Sequence, residues 1–109
     1  MQNKVSIVIP VYNGARVIER LVTSLNNQLL SLNFEIVLVN DGSTDDSDKV
    51  CSNIASHDLK VKFINLSRNF GEHNAVMAGL NYCTGDYAVF LDDDFQNPPS
   101  EIVKLVNKI

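Results

Sequence analysis

Val5-Ser6-Ile7-Val8-Ile9-Pro10 sets four β-branched aliphatic residues around one serine and closes on a proline. The run reads as a strand over Val5–Ile9, and its near-continuous apolar character suits burial on both faces of a sheet. Beyond Pro10, Val17, Ile18, Leu21, Val22, Leu25 and Leu29 recur at helical spacing and form one apolar stripe. The same alternation repeats down the chain. Glu35-Ile36-Val37-Leu38-Val39 is a second strand. Ser43 or Thr44 is placed to cap a second helix, with Val50, Cys51, Ile54 and Ala55 on its apolar face. Val61–Leu66 is a third strand, followed by a helix expected from His73 to Cys83 and stopped by Thr84-Gly85-Asp86. Tyr87–Leu91 is a fourth strand, and Pro98-Pro99 opens a last helix carrying Ile102, Val103, Leu105 and Val106. The order βαβαβαβα specifies an α/β fold, a mostly parallel sheet with right-handed crossovers. Ile109 falls in or just after the fourth helix with no closing strand, so the chain is expected to be the first part of a larger domain.

Composition narrows the function classes. At 109 residues a single domain is the ceiling, and an apolar share of 45% excludes a disordered chain. A chain of this size buries roughly 60–70% of its unfolded surface. Nine basic against thirteen acidic residues leave a net charge of −4, which argues against a nucleic-acid partner. A phosphate ligand held through a metal ion remains open, because the ion supplies the positive charge. Cys51 and Cys83 lack CxxC spacing and predict neither a disulfide scaffold nor a structural zinc; both fall in patterns read as helical, as reduced thiols. The first apolar run, Val5–Val11, is too short for a secretory leader or a membrane span, and a soluble, cytoplasmic chain is expected.

The polar residues collect after the strands, where open parallel sheets bind ligands. They are Pro10-Val11-Tyr12-Asn13-Gly14, Asn40-Asp41-Gly42-Ser43, Ser67-Arg68-Asn69-Phe70-Gly71 and Asp92-Asp93-Asp94-Phe95-Gln96. In extended backbone Asp92 and Asp94 share a face, with Gln96 following on the same side and Asp93 opposite. Two such carboxylates repel by roughly 3 kcal/mol at an effective dielectric of about 20, which a divalent cation relieves. Oxygen donors with open positions for a diphosphate suit Mg²⁺ or Mn²⁺; the bland alternative is a solvated acidic loop before the helix at Pro98. Asp41 can accept hydrogen bonds from a base or ribose, or serve the Asp-Gly-Ser-Thr turn. Tyr12 can stack on a base or close the sheet edge, and Arg68 can meet a phosphate or pair with an aspartate. Asp45, Asp46 and Asp48 read as a solvated first helical turn, His57 as surface, and His73 as structural or exposed rather than catalytic.

Three of these motifs together resemble glycosyltransferase family 2, with the GT-A fold, a three-layer α/β/α Rossmann-like architecture. They are Val5-Ser6-Ile7-Val8-Ile9-Pro10-Val11-Tyr12-Asn13, Val39-Asn40-Asp41-Gly42-Ser43-Thr44-Asp45 and Asp92-Asp93-Asp94, in the family's order and spacing. The stretches Leu66–Leu80 and Leu91–Pro99 are similar to polyprenyl-phosphate sugar transferases, the dolichyl-phosphate mannose synthase-like and undecaprenyl-phosphate enzymes. The resemblance implies that residues 1–109 are the N-terminal, nucleotide-sugar-binding part of a GT-A domain. It implies Pro10, Tyr12 and Asn13 lining the nucleotide pocket and Asp41 at the base, with Arg68 in the donor site. Asp92 and Asp94 become the two acids of an Asp-x-Asp motif holding Mn²⁺ or Mg²⁺, with Gln96 completing the metal site. Asp93 takes the middle position, its backbone near the ribose or diphosphate. The implied donor is a nucleoside diphosphate sugar, UDP- or GDP-linked, and the implied acceptor a polyprenyl phosphate or a growing glycan, in cell-wall or polysaccharide biosynthesis. A general base, where an acceptor hydroxyl needs one, is expected downstream of Ile109, and the segment alone is expected to be inactive or weakly active. Membrane association, at the cytoplasmic face, would come through C-terminal segments.

The chain departs from that pattern after Tyr12-Asn13. Many relatives place an acid there, and Gly14-Ala15 follow instead, which leaves the base contact to Asp41. A non-catalytic nucleotide- and metal-binding module is the alternative. A dinucleotide oxidoreductase would need a GxGxxG turn after the first strand, and a phosphoacceptor domain would need carboxylates there; Pro10-Val11-Tyr12-Asn13-Gly14-Ala15 supplies neither.

Overall fold

A computed structural model describes residues 3–29, 32–91 and 104. The elements run β1 (Lys4–Val11), α1 (Ile18–Gln28), β2 (Asn33–Asp41), α2 (Ser47–His57), β3 (Val61–Leu66), α3 (Glu72–Leu80) and β4 (Tyr87–Phe90). All pairings are parallel, and the strand order is β3-β2-β1-β4. The order reverses direction at β1, which is paired on both sides. The expected fourth helix from Pro98, and with it Asp92, Asp93, Asp94 and Gln96, lies outside the described residues.

Strand parity divides the molecule into three layers. Odd residues of β1 (Val5, Ile7, Ile9, Val11) and even residues of β2 (Phe34, Ile36, Leu38) form the larger core with Ile18, Leu21, Val22 and Leu25 of α1 and Cys51 of α2. The opposite parity, Val8, Val37 and Val39, meets Ala75 of α3. This two-faced burial explains why the central strands read as unbroken apolar runs. Gly79 lets α3 sit close on that face, since a Cβ there would lie 2.6 Å from Val8 Cγ1 and 3.0 Å from Val39 Cγ2.

Several boundaries differ from the sequence reading for physical reasons. β1 does not stop before Pro10 but continues to Val11, with Pro10 in register with Val39. Val8 directs its carbonyl toward β4, where it accepts the Leu91 N–H at 3.0 Å. Pro10 has the same parity, so its missing N–H faces the β4 side, past the last register pair Val8↔Phe90, and no ladder bond is lost. β2 likewise runs on to Asp41, which places Asn40 and Asp41 on a strand rather than in a loop. β4 is one residue shorter than expected.

α2 begins with Asp46 as its N-cap and no side-chain cap bond, so neither Ser43 nor Thr44 caps it. α3 starts at Glu72 and ends at Leu80, three residues short of Cys83. The N–H groups of Asn81, Tyr82 and Cys83 turn back to Ala78, Gly79 and Leu80 carbonyls in tighter i→i−3 bonds that close the helix. Cys51 is therefore helical and buried, whereas Cys83 is half-buried in the turn beyond α3. Among the described residues no helix is long and apolar enough to cross a membrane.

Candidate donor site at the carboxyl edge of the sheet

The carboxyl ends of β1 and β2 lie side by side, Val11 in register with Asn40 and Asp41 with Leu66 of β3. Asp41 has the parity of Val37 and Val39, the α3 face, and is only 4% exposed. Its Oδ1 accepts the Phe70 N–H at 2.8 Å, and no bond to Oδ2 is made among the described residues. Tyr12 follows β1 one residue beyond the Val11↔Asn40 pair, as Asp41 follows Asn40 on β2. Its side chain is half exposed.

The β3–α3 loop closes against this edge. Gly42 has φ +67°, and a Cβ there would lie 2.2 Å from the Asn69 nitrogen and 2.3 Å from the Arg68 carbonyl carbon. Only glycine serves both the left-handed turn and the close approach. The Arg68 guanidinium carbon lies 4.8 Å from the centroid of the Phe70 ring. Arg68 is thus held over an aromatic face, and no aspartate pairs with it among the described residues. Phe70, like Tyr12, is a large aromatic left exposed.

The β1–α1 and β2–α2 loops are joined by a reciprocal set of bonds. Asn13, at φ +53°, accepts at Oδ1 from Thr44 N at 2.8 Å, Thr44 Oγ1 at 3.2 Å and Asp45 N at 3.3 Å. In return Asn13 N donates to Ser43 Oγ at 2.9 Å, Gly14 N to Ser47 Oγ at 2.9 Å and Ala15 N to Asp45 Oδ2 at 3.2 Å. Ser43 Oγ itself donates to Asn40 Oδ1, and Asn40 Nδ2 donates to Asn65 Oδ1 at 2.8 Å. Asp45 is therefore not the merely solvated acid that the sequence suggests. The slight burial of Asp45 raises its pKa, but bonds from the Ser47 side chain and backbone and from the Ala15 backbone outweigh this and hold its carboxyl below the usual range.

Of the residues expected in the site, Tyr12, Asn13, Asp41 and Arg68 come together at one edge. Pro10 is buried inside β1, and Asn13 directs Oδ1 at the neighbouring loop. Asp92, Asp93, Asp94 and Gln96 fall outside the described residues; Leu91, just before them in sequence, donates its N–H to the Val8 carbonyl of β1 at 3.0 Å. His73 is exposed in the first turn of α3, and His57 is exposed at the end of α2. Among the described residues no cluster of histidine, cysteine and acidic groups could hold a metal ion. Sequence reasoning placed Asn40 and Phe70 in the candidate stretches without their bonds and passed over Ser47; a polar Asn40 closing an apolar strand was the available signal.

Comparison with known proteins bears on this arrangement. The undecaprenyl-phosphate 4-deoxy-4-formamido-L-arabinose transferase of Enterobacter sp. (strain 638) is 47% identical over 97% of the chain. That of Proteus mirabilis (strain HI4320) is 46% identical over 95%. The chain spans about a third of these curated relatives, 33% of each. Among solved structures, TarS 1-349 of S. aureus superposes with TM-score 0.77 at 26% identity, covering 95% of this chain and 31% of that one. TarS in complex with UDP gives TM-score 0.71 at 29% identity, over 84% of this chain and 27% of that one. The mannosyltransferase PcManGT of Pyrobaculum calidifontis, in complex with GDP-Man and Mn²⁺, gives TM-score 0.75 at 23% identity, over 86% and 28%. These are GT-A folds, and the parallel sheet with helices on both faces is the same architecture. The profile described as Glycosyl transferase family 2 matches residues 6–109, nearly the whole length, and the chain belongs to that family.

Proposed function

We propose that this chain is the donor-binding part of a metal-dependent glycosyltransferase that passes a sugar from a nucleoside diphosphate to a polyprenyl phosphate. The observation that carries the reading is that a buried Asp41 ends β2 beside the end of β1, whose next residue is the half-exposed Tyr12. The names of the relatives support undecaprenyl phosphate as the acceptor to test and 4-deoxy-4-formamido-L-arabinose as the sugar to test. The UDP complex of TarS makes a uridine diphosphate donor the first to test, with GDP-linked sugars next.

Asp41 would accept an N–H of the base at Oδ2 while Oδ1 stays with Phe70, and Tyr12 would stack on the base. Arg68 carries the cationic group of the loop opposite. By their chemistry Asp92, Asp94 and the Gln96 carboxamide offer oxygen donors of the kind that suit Mn²⁺ or Mg²⁺, and they would hold the ion. When bound, the ion offsets the negative charge that gathers on the departing diphosphate. The Asp93 backbone would lie along the ribose or diphosphate. A lipid phosphate acceptor is already anionic, so no side chain has to take a proton from it. With such an acceptor the full-length protein would work at the cytoplasmic face of a membrane.

Calorimetric titration with UDP, GDP and CDP, with and without Mn²⁺, tests this on the chain and on Asp94→Ala. Binding is expected to require the cation and to be lost in the variant. Equal, metal-independent binding by both proteins would overturn the metal assignment. No binding of any nucleotide by the wild type would overturn the donor site itself.

A further inference from the structure

Three successive backbone N–H groups after β1, at Asn13, Gly14 and Ala15, precede a helix and would ordinarily offer a cradle for phosphate. In this chain all three are taken. Their acceptors, Ser43 Oγ and Asp45 Oδ2 of the neighbouring loop and Ser47 Oγ at the start of α2, take one each. The bonds also run in the other direction, since Asn13 Oδ1 gathers Thr44 N, Thr44 Oγ1 and Asp45 N. Asp45 Oδ1 in turn accepts the Ser47 N–H at 2.9 Å, which fixes the residue that holds Gly14. Asn13 occupies the left-handed region at φ +53°, which asparagine tolerates better than most side chains. The result is a two-way clasp whose first member immediately follows the half-exposed Tyr12.

We infer that Asn13 and Asp45 are positioning residues: the clasp fixes the backbone on which Tyr12 is carried and withholds the turn's amides from phosphate, so this turn serves the base end of the donor. This rests on the donor-site reading above and adds to it a division of labour. Asn13 does not contact the nucleotide through Oδ1; it acts through Tyr12. The diphosphate must be held elsewhere.

The test compares Asn13→Gly, which keeps the left-handed backbone but removes the acceptor, with Asn13→Asp, which keeps an acceptor oxygen. Three readouts are needed: UDP affinity with Mn²⁺, thermal midpoint, and NMR of the Tyr12 ring and of the 13–15 amides without ligand. Asn13→Gly is expected to weaken UDP about tenfold, as expected when the clasped state falls to about a tenth of the population. Its Tyr12 ring resonances should average and its 13–15 amides should exchange faster, with the thermal midpoint little changed. Asn13→Asp is expected to restore affinity and ring order, and Asp45→Ala to resemble Asn13→Gly. Adding pyrophosphate should leave the wild-type 13–15 amides unshifted. Unchanged Tyr12 resonances in both Asn13→Gly and Asp45→Ala, or wild-type amides that shift with pyrophosphate, would overturn the proposal. So would a fall in affinity matched by an equal fall in stability, which marks a merely structural role. If the wild type bound no nucleotide, the donor-site reading would fail, while the ring and amide measurements would still decide whether the clasp positions Tyr12.

Discussion

β2 carries two buried acids on the same face of the sheet, Glu35 near its start and Asp41 at its end, 3% and 4% exposed. Their surroundings are opposite. Glu35 accepts from Ser6 Oγ at 2.6 Å, Thr84 N at 2.6 Å and Thr84 Oγ1 at 3.1 Å, and meets Lys62 Nζ at 2.9 Å and Lys4 Nζ at 3.6 Å. The chain supplies every partner this carboxylate can use. Among the described residues Asp41 accepts one amide, from Phe70, and the adjoining loops carry two exposed aromatic rings, Tyr12 and Phe70. Five bonds and ion pairs close the Glu35 end with the chain's own groups, and the single bond to Asp41 Oδ1 among the described residues leaves the other end with acceptor capacity for a ligand.

Breaking the Glu35 cluster should have the largest effect. Glu35→Ala removes the acceptor shared by Ser6, Thr84 and Lys62 and is expected to cost roughly 3–5 kcal/mol in urea or thermal unfolding, with nucleotide affinity unchanged in the folded fraction. Acid probes the same group more gently. Burial alone would push its carboxyl up, but the bonds from Ser6, Thr84 and Lys62 outweigh this and bring it down to about 2. A group lowered in the folded state stabilises it above the unfolded pKa and loses that contribution as pH falls. The window therefore runs from about pH 4.5 down to about pH 2, and the loss is about 3 kcal/mol. Unfolding midpoints measured across that range should fall in the wild type and flatten in Glu35→Gln.

At the other edge, Asp41→Asn keeps an oxygen for the Phe70 amide and removes the charge offered to a ligand. Nucleotide affinity should drop by about 2 kcal/mol, near thirtyfold, while stability moves by less than about 0.5 kcal/mol. An equal loss of stability would make Asp41 a second Glu35 and erase the contrast between the edges.

The layout of strands was legible because burial on both faces writes a continuous apolar run, and helices wrote their stripe. What was not legible depends on partners far along the chain. The register that lets Pro10 stay in β1 is set by β2 and β4. The helix boundary at Leu80 is set by the turn that follows it, not by the apolar pattern, which continues to Cys83. Tyr12, Asp41 and Arg68 could be placed at one edge from strand order alone, but the bonds that tie Asn13 and Asp45 across two loops could not be read. Their roles reside in a contact between two loops about thirty residues apart, and asparagine or aspartate in a turn looks the same whether it faces solvent, a ligand or another loop. Glu35 was passed over as an ordinary first residue of a strand, because nothing local shows that Lys62 and Thr84 converge on it.

The smallest expected effect asks whether the aromatic rings at the carboxyl edge differ from other exposed apolar groups. Phe70→Leu keeps the backbone N–H that Asp41 holds, so the loop should stay seated and the unfolding midpoint should not move. What it removes is the face beneath the Arg68 guanidinium, 4.8 Å away. A cation over an exposed ring is worth about 0.5–1 kcal/mol, and leucine has no such face. If Arg68 is held there for a phosphate-bearing donor, releasing it should weaken UDP binding by about two- to fivefold. The weakening should appear as a shallower salt dependence, because one cation no longer stands fixed near the ligand's charge. An unaltered affinity and salt slope in calorimetry would mean that the stack only covers Phe70, leaving Asp41 and Tyr12 to distinguish this edge from the Glu35 end.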